Sequence, residues 1–207
     1  PEKPWLYPVS IEYGEDRVLT YFALRKCDVQ MAEDRYPRFF LNHEPYFQSG
    51  VLDQGYWPDG LYTAPSDEAL IYDIRAMKDL GFNMLRKHGK IEADRWYFHC
   101  DRMGMLVWQD MPNGGSSYHH WFVTYLATLL NWMRIPVKDI HAKLLSRTDE
   151  DGRQEYVDDI RGMIRALYNH PSIVTWIPFN EGWGQFSTKQ VTDMIHKLDS
   201  SRLVDSA

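Results

Sequence analysis

The segment Val174-Thr175-Trp176-Ile177-Pro178-Phe179-Asn180-Glu181-Gly182-Trp183 is an apolar run that stops on a carboxylate. Its β-branched and aromatic residues read as a buried strand. An amide and a carboxylate at the tip of such a strand, flanked by Trp176 and Trp183, have few structural uses, because charged groups are rarely placed there unless something binds. The plainer alternative is that Asn180-Glu181 caps the next helix, with Gly182 supplying the turn.

The rhythm around that run constrains the fold. Ser66 heads a helix whose first turn carries Asp67 and Glu68 and whose Leu70, Ile71, Ile74 and Met77 share a face. Gly81 ends it, and Phe82 to Arg86 is a short strand. A second helix runs from about Ala93 to Met103 with Gly104 behind it, followed by a strand over Met105 to Trp108. Residues 113–150 are less regular, with a helix expected over Trp121 to Met133 and a charged loop near Thr148 to Arg153. Val157, Ile160, Ile164 and Leu167 predict a helix over Glu155 to Tyr168, broken by His170-Pro171. After the acidic tip, Val191, Met194, Ile195 and Leu198 mark a last helix leading into a strand at Leu203-Val204. Helices alternating with short buried strands imply an α/β fold with a parallel sheet. There is no GxGxxG and no Walker A sequence, so a nucleotide-binding version loses its main support.

The front of the chain follows different rules. Val9, Ile11 and Tyr13 alternate with polar residues, Gly14-Glu15-Asp16 turns, and Val18 to Leu24 extends again, which predicts a β-hairpin. A shorter hairpin is expected from Arg38-Phe39-Phe40-Leu41 through Asn42-His43-Glu44 to Pro45-Tyr46-Phe47-Gln48.

The polar residues sharpen the architecture. Arg86 and His88, Gln109 and Asp110, and Asn180 and Glu181 all follow successive predicted strands, the position where a (β/α)8 barrel gathers its reactive groups. Cleavage of a glycosidic bond uses two carboxyls, one of which protonates the leaving oxygen. Glu181 suits that task if burial beside Trp176 and Trp183 keeps it protonated. Asn180 is placed to bond a sugar 2-hydroxyl, and His88 to hold another hydroxyl. Asp110 is expected either to pair with Arg86 or to act as a second cleft carboxylate. Asp53-Gln54-Gly55-Tyr56-Trp57 is a loop rich in sugar-binding residue types, although its rings would serve equally as packing.

Composition excludes several classes. A formal charge of −6 argues against a nucleic-acid partner, which needs a basic surface. Cys27 and Cys100 are too few for a disulfide framework or a zinc site and are read as free thiols. His119-His120 lacks partner spacing for a metal, and no cofactor is expected. No 18-residue apolar window without charge is present, so no membrane span is indicated.

These residues resemble glycoside hydrolase family 2, the group of β-galactosidases, β-glucuronidases and β-mannosidases, over nearly the whole chain. Leu41-Asn42-His43-Glu44 occupies the place of the family's Leu-Asn-Gly segment. Asn83-Met84-Leu85-Arg86-Lys87-His88 is similar to the family's Asn-x-x-Arg-x-x-His region, with Arg and His one residue closer together. Leu106 to Pro112 is similar to one branch of the family, and Trp176 to Glu181 matches its Asn-Glu signature.

The resemblance implies residues 1–36 as the end of an immunoglobulin-like sandwich and 37–207 as the N-terminal half of a (β/α)8 barrel, preceded by its short antiparallel segment. It implies a retaining β-glycosidase, most commonly a β-galactosidase, with Glu181 as acid/base. Asn180, Arg86, His88, Asp110, Asp53 and Trp183 would line the site, and the partner would be a glycoside or oligosaccharide. The nucleophile of the family lies near the seventh barrel strand, whereas this chain reaches about the fifth. It therefore reads as a piece of a larger enzyme, inactive alone and open to self-association. The alternative is a carbohydrate-binding or scaffolding relative without catalysis.

Overall fold

A computed structural model describes residues 2–140 and 142–206; Pro1, His141 and Ala207 lie outside the described residues. The first hairpin pairs β1 (Tyr7–Tyr13) with β2 (Asp16–Phe22), Tyr7 opposite Phe22 with rings stacked at 5.1 Å. Gly14 takes φ +62° in the two-residue loop, a conformation glycine adopts without steric cost.

A second antiparallel sheet follows, made of β3 (Cys27–Met31), β4 (Pro37–Leu41) and β5 (Glu44–Pro45). The expected β4–β5 hairpin is present, and both loop residues, Asn42 and His43, have positive φ. The strand β3 was not anticipated. It pairs with the whole of β4, so this sheet runs across residue 36.

The main sheet is parallel throughout, in the order β10-β9-β8-β7-β6, with β6 (Gly50–Asp53), β7 (Met84–Lys87), β8 (Leu106–Asp110), β9 (Ile173–Ile177) and β10 (Leu203–Val204). Helices α1 (Asp67–Asp79), α2 (Asp94–Met103), α4 (Glu150–Leu167) and α5 (Thr188–Leu198) occupy the crossovers. Five strands in sequence order with intervening helices form part of a (β/α)8 barrel. The expected α1 cap is made: Ser66 accepts from the Ala69 N–H at 3.3 Å. Gly104 closes α2 at φ +68°. Cys27 and Cys100 are buried free thiols.

Two boundaries differ from expectation. The strand β6 was not anticipated and takes in Asp53, the first residue of the expected loop, so the sheet begins one strand earlier. The helix α4 starts at Glu150, not Glu155; its polar first turn has no apolar periodicity, but Glu150 and Asp151 suit the positive end of a helix dipole. The expected helix near Trp121 to Met133 is present as a π-helical segment, Phe122–Leu126, running into α3 (Ala127–Trp132).

Strand alternation divides the sheet into two faces, and a register shift of β9 against β8 at Val107/Trp108 lets Ile173 and Trp176 share one of them. Leu85, Val107, Ile173 and Trp176 pack against Ile74, Trp96, Ile160 and Ile164 of the helices. Met84, Leu106 and Val174 face the other way and meet Cys27 and Leu41 of the three-stranded sheet, which closes the lower end of the barrel interior. The front hairpin is pinned there too: the Tyr21 hydroxyl donates to Asp101 at 2.6 Å, and Arg25 donates to the carbonyls of Pro171, Ile173 and Ser201.

Candidate active site

At the carboxyl ends of the strands, a chain of polar contacts crosses four successive strand tops. Gln54, just after β6, lies 3.1 Å from His88 Nδ1. His88 Nε2 is 3.9 Å from Asp110 Oδ2. Arg86 of β7 donates from Nε to Asp110 Oδ1 at 2.9 Å and from Nη2 to Oδ2 at 3.2 Å. Its Nη2 also donates to Asn180 Oδ1, after β9, at 2.8 Å. The two-pronged contact uses the planar fork of guanidinium, which an ammonium lacks.

Asp110 is fully buried, and burial pushes its carboxyl above the ordinary range even though Arg86 and His88 pull the other way. Of the two expectations for Asp110, the geometry shows the pairing with Arg86. Gln109, its neighbour, faces the helices instead, where its amide bonds the Tyr97 hydroxyl and the carbonyls of Lys90 and Asp110.

Asp53 is placed elsewhere. In register with Lys87, it shares the helix-side face of the sheet, while Arg86 occupies the opposite one. Its carboxylate pairs with Lys87 Nζ at 3.0 Å and accepts the Gly55 N–H at 2.9 Å. Lys87 is itself almost wholly buried, 4.0 Å above the Trp96 ring and 3.3 Å from Glu92. Gln54, one position later, is the residue of this segment that meets His88; the sequence placed it only within a loop of sugar-binding residue types. Strand alternation would have found it once Gly50–Asp53 was recognised as a strand.

Glu181 sits in the turn four residues past the last strand residue and is exposed, where the sequence led us to expect a buried carboxyl. The expected neighbour Trp176 faces the helices, donating from Nε1 to Asp199 at 2.8 Å. Pro178, Phe179 and Asn180 carry the chain out of the sheet, so burial of the strand does not extend to the acid. Phe179 is fully buried, and Tyr156 both stacks on it and bonds the Pro178 carbonyl, which fixes the base of the turn.

The far side of the turn is clamped by residues that sequence reasoning did not single out. Asn113 donates to the Trp183 carbonyl at 2.9 Å, and Trp183 donates from Nε1 to the Ser116 carbonyl at 3.2 Å while meeting Tyr118 edge-on. Arg147 bonds Asn113 and the Gly184 carbonyl and lies 4.5 Å over the Tyr156 ring. Gly184, at φ +77°, leaves no room for a side chain: a Cβ there would lie 2.5 Å from the Gly114 carbonyl oxygen.

Among the described residues, no group of three or more His, Cys, Asp or Glu is arranged to hold a metal ion, and no helix is long and apolar enough to cross a membrane. Residues 37–207 match the model of the glycosyl hydrolases family 2 TIM barrel domain. The chain belongs to glycosyl hydrolase family 2.

Relatives within glycosyl hydrolase family 2 carry several names. A β-galactosidase of Thermoanaerobacter pseudethanolicus is 25% identical over 98% of this chain and 24% of its own length. A β-glucuronidase of Streptococcus agalactiae is 26% identical over 86% of this chain and 27% of its own. The chain thus spans about a quarter of the length of these curated relatives. Among solved structures, a β-D-glucuronidase of Dictyoglomus thermophilum superposes with a TM-score of 0.70 at 17% identity, over 95% of this chain and 31% of that one. A β-galacturonidase of Eisenbergiella tayi bound to galacturonate gives 0.69 at 23%, over 97% of this chain and 31% of that one. These structural likenesses carry the fold.

Proposed function

We propose that the whole protein is a retaining β-glycosidase of the β-galactosidase type and that Glu181 is its general acid/base. The observation that carries this reading is the polar chain Gln54–His88–Asp110–Arg86–Asn180, which runs across four strand tops and ends on the residue beside Glu181. Arg86 fixes the Asn180 amide oxygen, so the Asn180 NH₂ group is left to donate to a sugar hydroxyl. Substrate entry supplies the burial that an acid/base carboxyl needs and that the exposed turn does not.

A neutral hexoside suits the cleft better than a uronide. A uronate carboxylate calls for a cation, yet Arg86 is engaged by Asp110 and Asn180, and Lys87 points to the helix side in ion pairs with Asp53 and Glu92. In this reading Asp53 is a positioning residue for Lys87 rather than a sugar ligand, and Trp183 walls the leaving-group side. Double displacement uses a second carboxylate about 5–5.5 Å from the first, and we assign it to a later strand of the whole protein. The segment before β3 then serves as the end of a preceding β-sandwich docked through Tyr21 and Arg25, while β3 stays with the barrel-closing sheet.

The test is Glu181→Gln in the full-length protein, assayed on an aryl β-galactoside with a poor leaving group. Loss of a general acid lowers turnover by about 10²–10⁴-fold. Turnover near wild type removes the assignment, and a wild-type protein that binds sugar without cleaving any β-glycoside favours a carbohydrate-binding relative.

A further inference from the structure

On the helix side of β7, two cations and two carboxylates meet. Lys87 pairs with Asp53 and Glu92, and Glu92 also takes Lys90 at 2.9 Å. Lys90 is buried, and its other two donors go to the loop that follows β6, to the Gly55 carbonyl at 2.8 Å and the Tyr62 carbonyl at 2.7 Å. One ammonium thus holds both limbs of that loop, which the Trp57–Leu61 bridge joins. Asp53 adds a second hold by accepting the Gly55 N–H at 2.9 Å. The backbone lies so close to the cluster that a Cβ on Gly55 would be 2.5 Å from Glu92 Oε2 and 3.1 Å from Lys90 Nζ.

Gln54 directly precedes Gly55, so fixing Gly55 at its N–H and its carbonyl also fixes Gln54. Gln54 Nε2 lies 3.1 Å from His88 Nδ1. An amide nitrogen donates and does not accept, so Nδ1 of a neutral His88 is the acceptor and the ring proton sits on Nε2. The other end of the ring agrees. Asp110 Oδ2 is 3.9 Å from Nε2, and a carboxylate gripped on both oxygens by Arg86 offers no proton of its own.

Resting on the glycosidase reading, we propose that Lys90 is a positioning residue. By clamping the loop after β6 it holds Gln54 against His88, and so keeps the His88 proton on Nε2, where it serves a substrate hydroxyl oxygen. Lys90 acts only through the loop, since all three of its donors are taken by Gly55, Tyr62 and Glu92.

The experiment uses the full-length protein with isotope-labelled histidine, whose nitrogen NMR shifts report which ring nitrogen carries the proton. Spectra are taken at about pH 8, where an ordinary imidazole is neutral, and a His88→Asn sample identifies the His88 signals. In the wild type Nε2 is expected to be protonated and Nδ1 bare. Lys90→Met should mix the two tautomers and lower kcat/KM on an aryl β-glycoside roughly 3- to 10-fold, the scale of one hydrogen bond. Lys90→Arg, which keeps the charge and the donors, should restore both. Gly55→Ala lifts the loop from the cluster with Lys90 intact and should mix the tautomers too, which keeps the test decisive if Lys90→Met does not fold. A wild-type His88 that is not protonated on Nε2, or variants whose tautomer or kcat/KM stays at the wild-type value, overturns the role of Lys90. Absence of turnover with every β-glycoside removes the glycosidase reading, whereas the histidine signals still decide the clamp.

Discussion

The Arg86 guanidinium donates to the Asn180 amide oxygen at 2.8 Å, joining β7 to the turn that follows β9. The same side chain neutralises Asp110, which is fully buried. Arg86→Met should therefore do two kinds of damage. Leaving Asp110 uncompensated costs about 3–5 kcal/mol in urea unfolding, and freeing Asn180 lowers activity beyond what stability explains. Arg86→Lys should recover part of the stability but little of the activity, because one ammonium cannot serve both partners.

Two buried carboxylates should tilt the pH dependence of stability in opposite directions. Asp110 is held above its ordinary value by burial, so the native state binds more protons than the unfolded chain, and stability from this group falls as pH rises through the folded value. Asp199 behaves the other way. Burial pushes it up, but the Arg202 charge and hydrogen bonds from Trp176, Arg202 and Ser201 outweigh that and hold it below its ordinary value of 3.8. Its contribution is present above that value and is lost as pH falls through the folded one. Asp199→Asn should be most destabilising at neutral pH, and the gap from wild type should narrow below about pH 4. A constant gap across unfolding curves from pH 7 to 3 would exclude the account.

Two glycines should respond oppositely to alanine. Gly162 lies within α4 with nothing within 4 Å of an added Cβ, so Gly162→Ala should stabilise by about 0.4–1 kcal/mol without changing activity. Gly184→Ala meets both a positive φ and the Gly114 carbonyl, so the turn bearing Glu181 must move. Activity is expected to fall more than thermal stability does, read from kcat alongside Tm.

The 207-residue chain by itself should self-associate. Among the described residues, β6 and β10 each have a strand partner on one side only, and Trp5, Leu19, Leu24 and Trp132 are largely exposed. Unpaired edges and exposed apolar side chains recruit further copies. Light scattering should show mass rising with concentration; a constant monomer mass would refute this.

The helices and buried strands were legible because each carries its own period and punctuation, as Ser66, Gly81 and Gly104 show. What escaped was short or polar. The four residues Gly50 to Asp53 are too few to display alternation, and without that strand nothing told Asp53, on the Lys87 side, apart from Gln54, beside His88. The expectation of a buried Glu181 failed for a related reason: pairing ends at Ile177, burial continues only through Phe179, and the chain has turned outward by Glu181. Asn113, Arg147 and Asp139 act through contacts with residues 34 to 70 positions away, and nothing in their local sequence announces such partners.

The bond between Arg86 and Asn180 spans 94 residues, and that between Tyr21 and Asp101 spans 80. Contacts this distant are made only after most of the chain has collapsed, since the entropy of closing such loops precedes any gain from them. The individual helices rest on local contacts, whereas the cleft rests on contacts between distant parts of the chain. A nascent or partly unfolded chain therefore holds Asn180 and Glu181 without the Arg86 contact that fixes their turn to β7.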